Sequence, residues 1–226
     1  MDVDGLPATI GQKVDSAASV VTIDGIRLPV RPDAVYYLLY KPVGIISTTA
    51  DELARQTVTD LVPPAPPVYP VGRLDADSEG LLILTNDGDL THHLTHPRFG
   101  VTKTYMALVS GRLTPAQAKQ LEAGVMLDDG PAAANAARIV DVGAAGTLLE
   151  VVMAEGRNRE VRRMVAALGH EVTRLVRTSI GDLQDRTLKP GSWRPLYLSE
   201  VRRLYAIGAA GDRAWDNAAD VEPDTE

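Results

Sequence analysis

Gly72-Arg73-Leu74-Asp75-Ala76-Asp77-Ser78-Glu79-Gly80-Leu81-Leu82-Ile83-Leu84-Thr85-Asn86-Asp87 places a carboxylate-bearing loop directly before an unbroken apolar run. The five residues Gly80 to Leu84 are long enough for a buried strand, and glycine at each end of the preceding loop lets the backbone turn sharply. Asp75 is then expected on a rigid scaffold beside a cleft. Gly-Arg-Leu-Asp alone would carry little meaning, because an Asp in such a loop is usually a turn former that bonds its own backbone.

Upstream of the signature, residues 62 to 70 are rich in proline and read as an extended loop that cannot pair inside a sheet. Asp51 to Leu61 reads as a short helical or irregular connection. Val35-Tyr36-Tyr37-Leu38-Leu39-Tyr40 is β-branched and aromatic, so it is expected as a buried strand that delivers Lys41-Pro42 to its end. Val20 to Ile23 and Ile26 to Val30 flank an Asp24-Gly25 turn and read as two strands of a small module.

Downstream, Asn86 or Asp87 caps a short helix through Leu94, which Pro97 stops. Val101 to Val109 reads as a strand. Thr114-Pro115-Ala116-Gln117 combines an N-cap Thr, Pro at the first helical position and a Gln placed for a capping box, so a helix runs from there to Gly124. Strands are expected at 133 to 141 and 147 to 153, then a helix from about Asn158 to Leu168 with Gly169 in the left-handed position after it. Val161, Val165 and Leu168 form its apolar stripe, while Arg159 and Arg162, three apart, fall on neighbouring positions of one face. Further strands are expected at 171 to 178 and near 196 to 201.

The chain has 226 residues, 45% of them apolar, which suffices for a sizeable core and excludes general disorder. It has no cysteine, so disulfides and thiolate metal sites are excluded, in keeping with a reducing cytoplasm. No leader-like N-terminus and no run of eighteen apolar residues points to export or a membrane. The net charge of −7 conceals an asymmetry. Between 151 and 205 there are eleven Lys/Arg against six Asp/Glu, whereas 206–226 has one Arg against six acids. Such a basic stretch is either a solvated helix face or a nucleic-acid footprint.

Four stretches in order resemble the motifs of the bacterial ribosomal pseudouridine synthases of the small-subunit and large-subunit type. They are Lys41-Pro42-Val43-Gly44, the Gly72 to Asp87 signature, Lys103-Thr104-Tyr105, and Glu155-Gly156-Arg157-Asn158-Arg159-Glu160-Val161-Arg162-Arg163-Met164. The resemblance covers roughly residues 33 to 205. It implies an α+β pseudouridine synthase fold, a mixed and largely antiparallel sheet with a central cleft. Gly11 to Gly25 resembles the closing strands of the S4-type RNA-binding domain that often precedes such domains, without the helices that would come first. The implied division is an S4-like remnant at 1–32, a catalytic domain at 33–205, and an acidic disordered tail at 206–226.

The resemblance makes Asp75 the catalytic carboxylate, as nucleophile or base. Tyr105 is then the aromatic that stacks on the target base, with a hydroxyl able to take up the proton lost from C5. Arg162 is the cation expected to pair with Asp75 and keep it ionised. Arg73, Lys41, Arg157, Arg159 and Arg163 are the expected RNA contacts, although Arg73 would equally suit a salt bridge to Asp77 or Glu79. Isomerisation of uridine needs no cofactor and no metal. The partner implied is ribosomal RNA or a ribosomal assembly intermediate, met by a monomeric cytoplasmic protein.

The opening of the last motif, Arg157-Asn158-Arg159, looks like the large-subunit branch. Glu160 departs from the usual Gln and adds an anion there, set to weaken phosphate binding or to pair with Arg163. His92, His93 and His96 have one-turn spacing but no intervening Glu of zincin type and no Cys, so a surface cluster is the better reading. Three rivals stay open: a small-subunit enzyme, a non-catalytic assembly factor of the same fold, and a hydrolase using Asp75 and Asp77 as paired acids.

Overall fold

The apolar run of the signature lies inside a seven-residue strand, Glu79–Thr85, in which every residue is buried. Numbered along the chain it is β7. It is preceded by β1 (Asp2–Val3), β2 (Leu6–Pro7), β3 (Val21–Ile23), β4 (Ile26–Leu28), β5 (Tyr36–Lys41) and β6 (Tyr69–Pro70). Then follow β8 (Lys103–Val109), β9 (Val125–Leu127), β10 (Gly130–Ala132), β11 (Ala136–Gly143), β12 (Gly146–Met153), β13 (Val172–Ile180), β14 (Leu183–Gln184) and β15 (Trp193–Pro195). The helices are α1 (Gly88–Thr95), α2 (Pro115–Ala123), α3 (Glu160–Ala167) and α4 over 198–207. This computed structural model describes residues 1–14, 19–23, 26–28, 33–51 and 53–207. The acidic tail expected at 206–226 falls, from 208 on, outside the described residues.

The main sheet runs β11-β12-β8-β13-β7-β5-β15, with β14 paired to β13 and β6 paired to β7. All its pairings are antiparallel except β13 with β7. The fold is therefore α+β on a mixed, largely antiparallel sheet.

β7 has no polar alternation because both of its faces are covered. Leu81 and Ile83 join Leu38, Val71, Leu90, Leu94 and Leu204 in one cluster. Leu82 and Leu84 join Leu39, Ile45, Val58 and Val68 in another. Each such side chain contributes about 1.5–3 kcal/mol by leaving water. A third cluster lies between β8, β12, β13 and the helices α2 and α3.

At the start of β7, Gly80 has φ +114°, and a Cβ there would lie 2.3 Å from the Arg177 carbonyl oxygen. Only glycine lets β13 close on β7 at this point. The parallel pairing of Arg177 with Gly80 follows from it.

The helix signals hold in detail. The Asp87 carboxylate accepts from the Asp89 and Leu90 N–H groups, and Thr114 with Gln117 forms a reciprocal capping box. Gly169 has φ +81° after α3. The proline-rich segment enters the sheet only at its last two residues, Tyr69 and Pro70, opposite the C-terminal end of β7.

One expectation needs correction. Residues 196 to 201 are not a strand: the strand is Trp193–Pro195, and the chain then turns helical, burying Val201, Leu204 and Tyr205 at helical spacing. The hairpin of β9 and β10 is absent from the sequence reading; Asp128-Asp129 forms its two-residue turn, and Gly130, the first residue of β10, pairs with Leu127. In the N-terminal segment β3 and β4 pair where strands are expected and join a sheet of order β2-β1-β3-β4. Among the described residues no helix is long and apolar enough to cross a membrane.

Candidate active site

Asp75 sits on the loop between β6 and β7, and the last residue of β5 together with the segment that follows it grips this loop through its backbone. Lys41 is completely buried, and its ammonium donates to the carbonyls of Pro42 at 3.1 Å, Asp75 at 2.9 Å and Ser78 at 2.7 Å. Those three bonds use all its protons. Gly44 N–H donates to the Ala76 carbonyl at 2.7 Å, and the Ser47 hydroxyl both donates to the Leu74 carbonyl and accepts from its N–H.

Lys41 is therefore a clamp on the carboxylate loop, which corrects its expected role as an RNA contact. A side chain with no exposure and no spare donor does not reach a phosphate. Burial lowers its pKa to about 8, against the opposing charges of Asp75 and Asp77.

The Ser78 N–H closes a turn on the Asp75 carbonyl at 3.0 Å and leaves the Asp75 side chain at the surface of a cavity, 29% exposed. The cation in ion-pair range is Arg159, whose Nη1 is 4.0 Å from Oδ2. Arg162, expected in that place, is turned elsewhere. Its Nη1 donates to the Val172 carbonyl at 2.7 Å and its Nη2 to the Asp77 carbonyl at 3.0 Å, with the Asp77 carboxylate at 3.5 Å. It braces the Asp75 loop against β13.

The reason is local backbone geometry. Arg159 is the N-cap of α3 and has left-handed φ and ψ of 49° and 31°, so the three-residue spacing to Arg162 is not helical spacing. Nothing in the residue type announces a left-handed arginine.

The other arginines of the motif are already paired. Arg159 forks onto the Asp77 carboxylate at 2.8 and 3.1 Å, and Arg163 onto Asp129 at 2.8 and 2.9 Å. The Arg159 hydrogen bond, more than the charge of Arg162, holds the Asp77 carboxyl below its ordinary range. Glu160 is buried and accepts from Arg157 N–H at 3.1 Å while pairing with Arg157 Nε at 3.1 Å, so its partner is Arg157 and not Arg163. Arg157 also reaches Glu155, Asp129 and the Pro131 carbonyl. Arg73 is exposed, and neither expected salt bridge forms: Asp77 is taken by Arg159 and Glu79 by Arg174.

Asp75, Tyr105 and Arg159 line one cavity of about 190 Å³ together with Arg73, Asn158 and Leu175. Tyr105 projects from β8, opposite Arg177 of β13 and Val151 of β12. Arg162 belongs to the neighbouring surface with Asp77 and Arg163. Residues that bring the site together but that sequence reasoning passed over are Ser47, Ser78, Asp129 and Arg177. Each acts through backbone contacts or a distant partner that spacing does not reveal.

His92, His93 and His96 stack around Phe99, and His96 Nδ1 accepts from the Arg98 N–H at the start of a 3-10 turn. Among the described residues no group of His, Asp and Glu is placed to hold a metal ion.

A model of the RNA pseudouridylate synthase family matches residues 35–167. The chain belongs to this family. An uncharacterized RNA pseudouridine synthase of Mycobacterium tuberculosis is 44% identical over 214 residues, 92% of this chain and 84% of that one. The ribosomal large subunit pseudouridine synthase B of Bacillus subtilis is 39% identical over 209 residues, 91% of this chain and 85% of that one. A crystal structure of a pseudouridylate synthase superposes with a TM-score of 0.70 at 27% identity, covering 90% and 87% of the two chains. The activity of this family member is isomerisation of uridine to pseudouridine in RNA.

Proposed function

We propose that this RNA pseudouridine synthase modifies a uridine of large-subunit ribosomal RNA and that Asp75 is its catalytic carboxylate. The observation that carries the reading is the shared cavity of Asp75, Tyr105 and Arg159, with the Asp75 loop clamped from within by Lys41. Similarity along nearly the whole chain to the Bacillus large-subunit enzyme supports the choice of RNA.

In this reading Asp75, with the Arg159 guanidinium 4.0 Å away, acts as nucleophile or base while the bond between N1 and C1′ breaks. The uracil turns, C5 bonds to C1′, and the C5 proton is lost to the site while N1 regains one. Tyr105 stacks on the detached ring, an interaction worth roughly 1–3 kcal/mol, and its hydroxyl takes up that proton. Flipping a paired uridine costs a few kcal/mol, which contacts elsewhere on the RNA offset. Arg73, Arg157, Arg159 and Arg163 supply those contacts. We read the chain as a monomer acting in the cytoplasm, with an S4-like segment at 1–32 before the catalytic domain at 33–205.

Tritium release from ribosomal RNA carrying C5-labelled uridine tests the reading. The wild-type chain is expected to release tritium, and Asp75→Asn to release none above background. Activity surviving in Asp75→Asn, or release only from small-subunit RNA, would refute it. A chain that binds ribosomal RNA but never releases tritium would instead be a non-catalytic assembly factor.

A further inference from the structure

Tyr105 separates the catalytic cavity from a second one of about 510 Å³, which shares Arg73 and Arg157 and extends to Leu94, Pro97, Lys103 and Arg177. Sites for organic ligands commonly measure 300–1,000 Å³. The catalytic cavity is smaller than that range, whereas the second lies inside it.

Its wall is charged in a way the protein does not compensate. Arg177 is only 4% exposed. Its Nε donates to the Leu81 carbonyl at 2.7 Å, and its Nη2 is buried without a hydrogen-bond partner. Lys103 donates to the Val101 carbonyl at 2.7 Å and keeps two further protons. Among the described residues neither cation has a carboxylate in ion-pair range; the one carboxylate lining the cavity, Glu155, is paired with Arg157 at 3.2 Å. Asp75, Asp77 and Glu79 act on Lys41, whereas Lys103 meets burial and the repulsion of Arg177, which bring its pKa down to about 8. Holding two unpaired cations in an apolar wall is costly unless an anion completes them.

We propose that this second cavity is a phosphate subsite, in which Lys103 and Arg177 hold an RNA phosphodiester flanking the uridine that occupies the Asp75 cavity. The inference rests on the reading of the chain as an RNA uridine isomerase. It makes Tyr105 the partition between a base compartment and a backbone compartment.

Affinity of the full chain for a fluorescein-labelled large-subunit RNA transcript, measured by anisotropy over a range of salt and pH, tests it. Lys103→Met is expected to bind about tenfold more weakly at low salt, with a salt slope shallower by about 1. Lys103→Arg restores both. The groups facing Lys103 around the cavity are Arg177, Arg73, Arg157, Glu155 and Tyr105. RNA binding draws a proton onto Lys103, so wild-type affinity is full below about pH 8 and falls above it, whereas Lys103→Arg holds its affinity to pH 9.5.

Equal salt slopes for wild type and Lys103→Met overturn the proposal, as does a Lys103→Arg variant no tighter than Lys103→Met. Because binding is read without turnover, a wild-type chain that binds RNA but releases no tritium refutes the enzymatic reading alone.

Discussion

Lys41 donates to the backbone carbonyl of Asp75 at 2.9 Å, so a buried ammonium fixes the backbone of the very residue whose side chain faces the cavity. Replacing Lys41 by Met leaves the carbonyls of Pro42, Asp75 and Ser78 without that donor. Each buried acceptor left unmatched costs about 1–3 kcal/mol, offset by the removal of a buried charge. A net loss of about 2–4 kcal/mol in urea denaturation is expected, accompanied by a fall in tritium release even where the protein remains folded.

Arg159 and Arg162 are expected to fail differently. Arg159 is 44% exposed and stands by Asp75, so Arg159→Met lowers turnover at neutral pH while changing stability by less than about 1 kcal/mol. Arg162 is 12% exposed and bonded to two backbone carbonyls, so Arg162→Met lowers the melting temperature as well. Parallel melting and activity measurements on the two variants distinguish the roles. Identical profiles would contradict the geometry.

Gly80→Ala places a methyl group 2.3 Å from the Arg177 carbonyl in a region of φ that alanine avoids. Strand separation or backbone strain of roughly 3 kcal/mol or more follows. The variant is expected to be poorly soluble or to unfold at a much lower urea concentration than wild type.

Asp87 caps α1 and accepts from the hydroxyls of Tyr36 on β5 and Tyr205 on α4. Asp87→Ala removes the cap and takes one acceptor away from each of two phenols, for a combined loss of about 2–4 kcal/mol in denaturation. Catalysis at saturating RNA is expected to persist at temperatures where the variant is folded.

The pKa of Lys103 is lowered to about 8 in the fold, below its ordinary value near 10.5. Below pH 8 the lysine is protonated in both states and the native state bears the full cost of its burial. Between about pH 8 and 10.5 the unfolded chain binds more protons than the native one, so this group raises stability as pH rises. Urea midpoints at pH 7.5 and 9.5 should therefore show a smaller upward change, or a larger decline, in Lys103→Met than in wild type.

Much of this was legible in the chain because local chemistry and global position agree. The apolar run at Gly80 to Leu84 reads as a buried strand, and the Asp87 and Thr114 caps start their helices where their side chains reach back. What escaped depends on contacts across the fold. Lys41 looks solvated beside a proline, yet it is enclosed because the signature loop folds over it. Arg159 leaves the helical spacing through a left-handed backbone. Residues 196 to 201 read as a strand in the sequence, whereas the burial of Val201, Leu204 and Tyr205 follows helical period only once α4 packs on the sheet.

The forks of Arg159 onto Asp77 and of Arg163 onto Asp129 mean that the protein supplies counter-ions for these arginines from its own chain. If Arg159 and Arg163 hold RNA phosphates as proposed, the RNA exchanges with those carboxylates, trading one partner for another instead of simply adding attraction. A floppy strand presenting one phosphate at a time gains little from such an exchange. Under the proposed role, a rigid ribosomal substructure that delivers several phosphates together is expected to drive the exchange better than a loose polyanion.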